Sequence, residues 1–267
     1  MTATVDHSVD RGVATAPVPA DRHAPARRAS RAPATPRPDR PRRGVRALLA
    51  SSAGKKAVMA VTGAVLVLFL VGHMLGNLKV FLGADSFNHY AEWLRTVGSP
   101  ALPDRTLLTI AEIGLVVAVA LHMWAAVSLA RRAAKARPVK YAARRKSQAN
   151  GYATRTMRYG GVIIVLFVVW HLLDMTFGVV NPRGGDATPY ARMVADFQPS
   201  RWWVTAFYLV AMVVVGLHLR HGLWSAFQTL GVARRYRALQ AGAAVVSAVL
   251  VLGFVAAPVA VMIGVVK

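Results

Sequence analysis

The chain has 267 residues, 55% of them hydrophobic, and carries 33 Lys and Arg against 11 Asp and Glu, a formal charge of +22. In a soluble domain that excess would point to nucleic acid. Here the bases sit in blocks between long apolar runs, the layout of a multi-span membrane protein, so nucleic acid is not expected as a partner. Cysteine is absent, which excludes disulfides, thiolate zinc sites and Cys-ligated iron–sulfur clusters within the chain.

Residues 1–50 are rich in Ala, Pro and Arg, as in RHAPARRASRAPATPRPDRPRRGVR. They show no apolar periodicity and cannot bury enough surface to offset their ordering entropy, so a disordered basic tail is expected. No short apolar core with a cleavage site follows the charges, so the tail is not read as a signal peptide. Residues 51–267 form the second region. They contain five apolar runs at about 57–82, 106–130, 159–180, 202–228 and 239–266. Each approaches or exceeds the roughly 20 residues that cross about 30 Å of hydrocarbon. The runs are too long for barrel strands and keep no strict alternation, which predicts five transmembrane helices and an all-α membrane protein.

Charge sets the expected orientation. The connection from Arg131 to Arg158 holds ten Lys and Arg and no acid, and the connection after span four holds Arg234, Arg235 and Arg237. With the basic tail, these regions fall on one side of a five-span chain. The other side carries Asp85, Glu92, Asp104, Asp186 and Asp196 among fewer bases. The positive-inside rule then puts the N-terminus in the cytoplasm and the C-terminus outside, in a cell membrane.

Each of the first four spans contains histidine: His73, His122, His171, and His218 with His221. At 1.5 Å per residue, His73 lies about 24 Å along an outward span and His171 about 18 Å along another. His122 and His218 both lie about 24 Å along inward spans. The four therefore sort into an outer pair, His73 with His171, and an inner pair, His122 with His218. Each pair joins alternate spans, the diagonal partners of a four-helix bundle. A lone intramembrane histidine can simply hydrogen-bond across helices. Zinc would need three or four ligands at one depth. Two opposed neutral imidazoles at one depth suit the axial positions of a haem iron, whose flat apolar macrocycle suits a bundle interior. The first four helices are thus expected to form a haem-binding bundle with two haems. Gly63, Gly160, Gly161 and Gly178 lie near the histidine face of their spans, although small residues are also common where membrane helices pack. His221, on the face of His218, is the alternative ligand or a contact for a haem propionate or a quinone. Glu112 lies about a turn and a half into span two, as a proton or quinone residue or one reaching the outer interface. Asp174, one turn after His171, could orient that imidazole.

At this point the chain, over about residues 50–267, resembles the cytochrome b membrane-anchor subunit of succinate dehydrogenase. The form is the single-polypeptide, five-helix, di-haem one also found in some fumarate reductases. The stretches that carry the resemblance are GKKAVMAVTG before span one, HMLGNLKVF at its outer end, FNHYAEWLR in the outer connection, WHLLD in span three and HLRHGLWSAFQTLG at the end of span four. The resemblance implies the same ligands: His73 with His171 for the haem distal to the catalytic subunits, and His122 with His218 for the proximal haem. It implies docked flavoprotein and iron–sulfur subunits and exchange of electrons with a quinone, often menaquinone. Glu92 is the nearest match by location to an acidic residue tied to the quinone site in some members, with a solvated loop carboxylate as the alternative. The chain has no flavin motif and no cluster ligands, so it would not oxidise succinate alone. The competing readings are another di-haem b cytochrome, such as that of a hydrogenase or formate dehydrogenase, and a small transporter with a histidine proton relay.

Overall fold

The computed structural model describes residues 44, 49–136, 150–229, 231 and 236–267, with side chains described from Met157 in the third span and from Arg237 in the fifth. The expected tail of residues 1–50 lies almost wholly outside the described residues. The described chain is all helical, with five helices long and apolar enough to cross a membrane. The inner end of the bundle is the one at Lys55 and Arg132, and the outer end is the one at Gly83 and Thr106.

Span one is α1, Ser52–Leu78, followed by a 3-10 turn, Lys79–Leu82. Ser51 caps it by accepting from the Gly54 N–H at 2.9 Å, which satisfies one of the orphan donors of the first turn. The span begins before the expected residue 57 because Lys55 is not left to solvent. Its ammonium donates to Ser128 Oγ at 2.6 Å and lies over the Trp124 ring. Gly83, at φ 89°, ends the 3-10 turn and admits a short amphipathic helix, α2, Ala84–Thr96. Span two is α3, Thr106–Lys135, longer at its inner end than the apolar run. Arg132 there donates to Ser52 Oγ and the Ala50 carbonyl, tying the inner ends of α1 and α3 together.

Span three is α4, Asn150–His171, and it closes in a π turn, Leu172–Thr176. Its described apolar stretch ends at Thr176 rather than at the expected 180. Phe177 to Val180 are apolar enough to continue, but the Phe177 N–H reaches back five residues to the Leu172 carbonyl, and Gly178 turns at φ 69°. A second short outer helix, α5, Pro189–Asp196, starts at a Thr188 cap with Pro at its first position. A 3-10 turn, Pro199–Arg201, leads into span four, α6, Trp202–Thr229, and span five is α7, Tyr236–Met262.

Around the bundle α1 packs on α3 and α7, α4 packs on α6, and α6 packs on α7. The long helices share little apolar core of their own. Val61, Leu68, Ile110, Val116, Leu166 and Leu252 are exposed along them, as lipid-facing residues should be. Small residues let the backbones approach. A Cβ on Gly216 would sit 2.6 Å from Val251 Cγ2, and Ser247 of α7 donates to the Gly216 carbonyl at 3.0 Å. The main buried cluster lies toward the outer end, where α2 and α5 bring Phe87, Met193 and Phe197 against Phe167, Val204, Tyr208 and Ala257 of the spans. That cap holds the outer histidines in a fixed apolar setting.

Candidate functional site: two facing histidine pairs

The inner pair brings α3 and α6 together across the bundle. The His122 and His218 rings lie 6.4 Å apart between centroids, tilted by 60°. Thr62 of α1 sets the His122 tautomer. Its hydroxyl donates to the Val58 carbonyl at 2.7 Å, so its oxygen is left to accept from His122 Nδ1–H at 3.2 Å. The proton is then on Nδ1, and the Nε2 lone pair is free. Glycines adjoin both rings: a Cβ on Gly63 would lie in ordinary contact with His122 Cε1 at 3.4 Å, and one on Gly161 with His218 Cε1 at 4.0 Å. His218 Nδ1 is buried without a hydrogen-bond partner.

The outer pair joins α1 and α4. The His73 and His171 centroids are 5.8 Å apart with the rings nearly perpendicular, at 84°. Phe69 stacks on His73 and Phe167 on His171, while Phe254 of α7 closes the remaining side of His73. Tyr208 of α6 donates its hydroxyl to Asp174 Oδ2 at 2.8 Å, which leaves its oxygen to accept from His171 Nδ1–H at 3.4 Å. Again Nε2 is the free nitrogen. Asp174 therefore acts on His171 through Tyr208, and the π turn carries it into the interior, where it is 0% exposed. Asn181 donates to its other oxygen, and Asn181 also donates to the Arg192 carbonyl of α5. The outer ligand candidate is thus tied by hydrogen bonds to the cap.

The spacing of both pairs fits one metal between two imidazoles. Metal–nitrogen bonds of about 2 Å on either side put two ring centroids about 6 Å apart. Half-buried imidazoles, Nδ1 protons taken up by protein oxygens in two of the four, and small residues beside two rings make a donor set that suits a bis-imidazole macrocycle. Among the described residues no three His, Asp or Glu side chains converge as a metal site of their own.

The other sequence candidates fall apart from the pairs. His221 is half-buried one turn beyond His218. Glu92 is exposed on α2, and Glu112 is exposed and ion-paired with Arg105 at 3.8 Å at the outer end of α3. Gly160 faces Val214, and Gly178 belongs to the outer turn against Gly184 and Gly185, so neither adjoins a histidine ring. Thr62, Tyr208, Asn181 and Asp196 were not anticipated. A hydroxyl on a neighbouring span at the depth of a histidine is the signal that could have found the first two.

A family model described as succinate dehydrogenase/fumarate reductase transmembrane subunit matches residues 133–257. That stretch contains spans three and four, with His171 and His218, and most of span five. No curated protein and no solved structure matches the chain. Over that stretch, just under half of its length, the chain is similar to the succinate dehydrogenase/fumarate reductase transmembrane subunit family, a likeness in keeping with its five long apolar helices.

Proposed function

We propose that the chain is the cytochrome b anchor of a succinate dehydrogenase and passes electrons between the iron–sulfur subunit and menaquinone through two b haems. The observation that carries this is the presence of two half-buried imidazole pairs, at 5.8 and 6.4 Å between centroids, within one bundle. His73 and His171 would ligate the outer haem, and His122 and His218 the inner one. Haem b, when bound, supplies one-electron transfer. The chain's own residues hold and tune it. Thr62 and Tyr208 fix the tautomers that present Nε2. Phe69, Phe167 and Phe254 exclude water from the outer pair, and Gly63 and Gly161 leave room beside the inner one. His221 is the candidate for a propionate or quinone contact on the inner side, and Glu92 for a quinone contact on the outer side.

The N-terminus lies in the cytoplasm in this account, with the basic inner face toward the flavoprotein and iron–sulfur subunits. A pyridine haemochrome assay on the purified protein tests it, with two haems b per chain expected. Absence of haem b would overturn the electron path. Co-purification with a metalloenzyme facing outside, in place of a cytoplasmic flavoprotein, would overturn the assignment to succinate dehydrogenase.

A further inference from the structure

Two carboxyl groups from separate elements meet beneath the outer cap. Asp174 comes from the π turn after α4 and Asp196 from the end of α5, and both are 0% exposed. Asp174 is well supplied with donors, from Tyr208 and Asn181. Asp196 is not. Its Oδ1 accepts from Arg201 Nη2 at 2.8 Å, while its Oδ2 is buried with no donor from any residue acting as an N–H or O–H source. The helix that ends at Asp196 packs on the π turn that carries Asp174, so two buried carboxyls that can only accept when ionised are neighbours.

The charge balance points the same way. Among the described residues Arg201 is the guanidinium bonded to the pair. Arg192, on the same helix as Asp196, sends its Nη1 to the Gly185 carbonyl and has Arg95 as its charged neighbour. Tyr208 faces both carboxyls and is neutral, with its proton committed to Asp174. Ionising both aspartates would therefore bury an uncompensated negative charge beside an unsatisfied oxygen, a costly arrangement. One proton removes both faults. Seated on Asp196, it turns the orphaned oxygen into a donor toward Asp174, and it leaves a single negative charge opposite Arg201.

We propose that Asp174 and Asp196 form a proton-binding site, one proton being seated on Asp196 and shared with Asp174 at the outer end of the bundle. The same physics governs Asp196 alone. Burial first, then the neighbouring Asp174 carboxyl, push its pKa from 3.8 up to about 7, against the opposing pull of Arg201. The site therefore fills and empties near neutral pH, and its proton is held where Tyr208 connects the pair to His171.

The test is infrared difference spectroscopy of the full-length protein in lipid vesicles, in light and heavy water. A carbonyl stretch of a protonated carboxylic acid, downshifted in heavy water, is expected at about pH 5 and should fade as pH rises through neutrality. Asp196→Asn should abolish it. Asp174→Asn, whose amide can donate to Asp196, should abolish it as well. Arg201→Gln removes the stabilising cation and should move the loss of the band to higher pH, a displacement that a purely structural pair would not show. A folded protein lacking the band at pH 5, or keeping it unchanged in Asp196→Asn and Asp174→Asn, would overturn the proposal. The measurement needs no haem, so its failure is distinct from failure of the electron-transfer account.

Discussion

Thr62→Val is the perturbation that isolates the support of the inner pair. Valine keeps the branched shape of threonine and removes the oxygen that accepts from His122 Nδ1–H at 3.2 Å. Thr62 is buried, so the N–H would lose this acceptor and be left with only the neighbouring Met59 carbonyl. Full loss of a partner costs about 1–3 kcal/mol, which sets the upper range. At about 1.4 kcal/mol per tenfold, the loss is about 5- to 150-fold in the affinity that depends on this imidazole. It falls in the range seen when the outer partner of a metal-ligating histidine is removed, about 10- to 100-fold. The assay is retention of the inner haem in purified complex under dilution in detergent, read from the reduced-minus-oxidised spectrum, with Thr62→Ser as control. Serine keeps the hydroxyl and should hold the haem as the parent does. Valine should lose the inner signal preferentially, because the outer pair has its own support in Tyr208. Equal retention in the valine and serine variants would refute the role given to Thr62, and loss of the outer signal alone would invert the assignment of depth.

Further outcomes follow from the same contacts. Gly216→Ala puts a Cβ 2.6 Å from the stiff Val251 side chain, so α6 and α7 must part or strain; about 1–3 kcal/mol of destabilisation should register in unfolding by denaturing detergent. Stability should also depend on Asp196. Its folded pKa is raised, so between about pH 4 and about pH 7 the folded chain holds a proton that the unfolded chain has released, and stability should fall as pH rises through that window. Asp196→Asn should flatten that slope in thermal melts of the vesicle-bound protein. Tyr208→Phe strips a partner from both His171 and Asp174, and should weaken retention of the outer haem while leaving the inner spectrum in place.

Much of this architecture is legible without coordinates because lipid imposes a simple rule. A segment that crosses must be apolar and helical, so all five spans could be read from hydropathy, and the histidine depths followed from the rise per residue. Depth alone also separates His73 and His171 from His122 and His218, the same sorting in which their rings face each other. The ends of the spans were not. Lys55 hides beneath Trp124 and Ser128, so α1 begins earlier than the apolar run, and the π turn ends α4 before the apolar run does. The outer helices α2 and α5 were missed because their amphipathic sequences are short and polar, and only the spans beneath give their Phe87 and Phe197 a place to bury. Asp196 read as one more outer acid. It is buried because α5 folds its C-terminal end inward over Asp174, a contact between elements that no local pattern announces.

The central claim is the pairing of ligands, and a spectroscopic series on four single substitutions tests it most directly. His73→Ala, His122→Ala, His171→Ala and His218→Ala should divide into two classes in the low-temperature reduced spectrum. His73→Ala and His171→Ala should lose one haem signal, and His122→Ala and His218→Ala should lose the other, each leaving one haem b per chain. Loss of the same signal from His73→Ala and His122→Ala, or two intact haems in any of the four, would contradict the account.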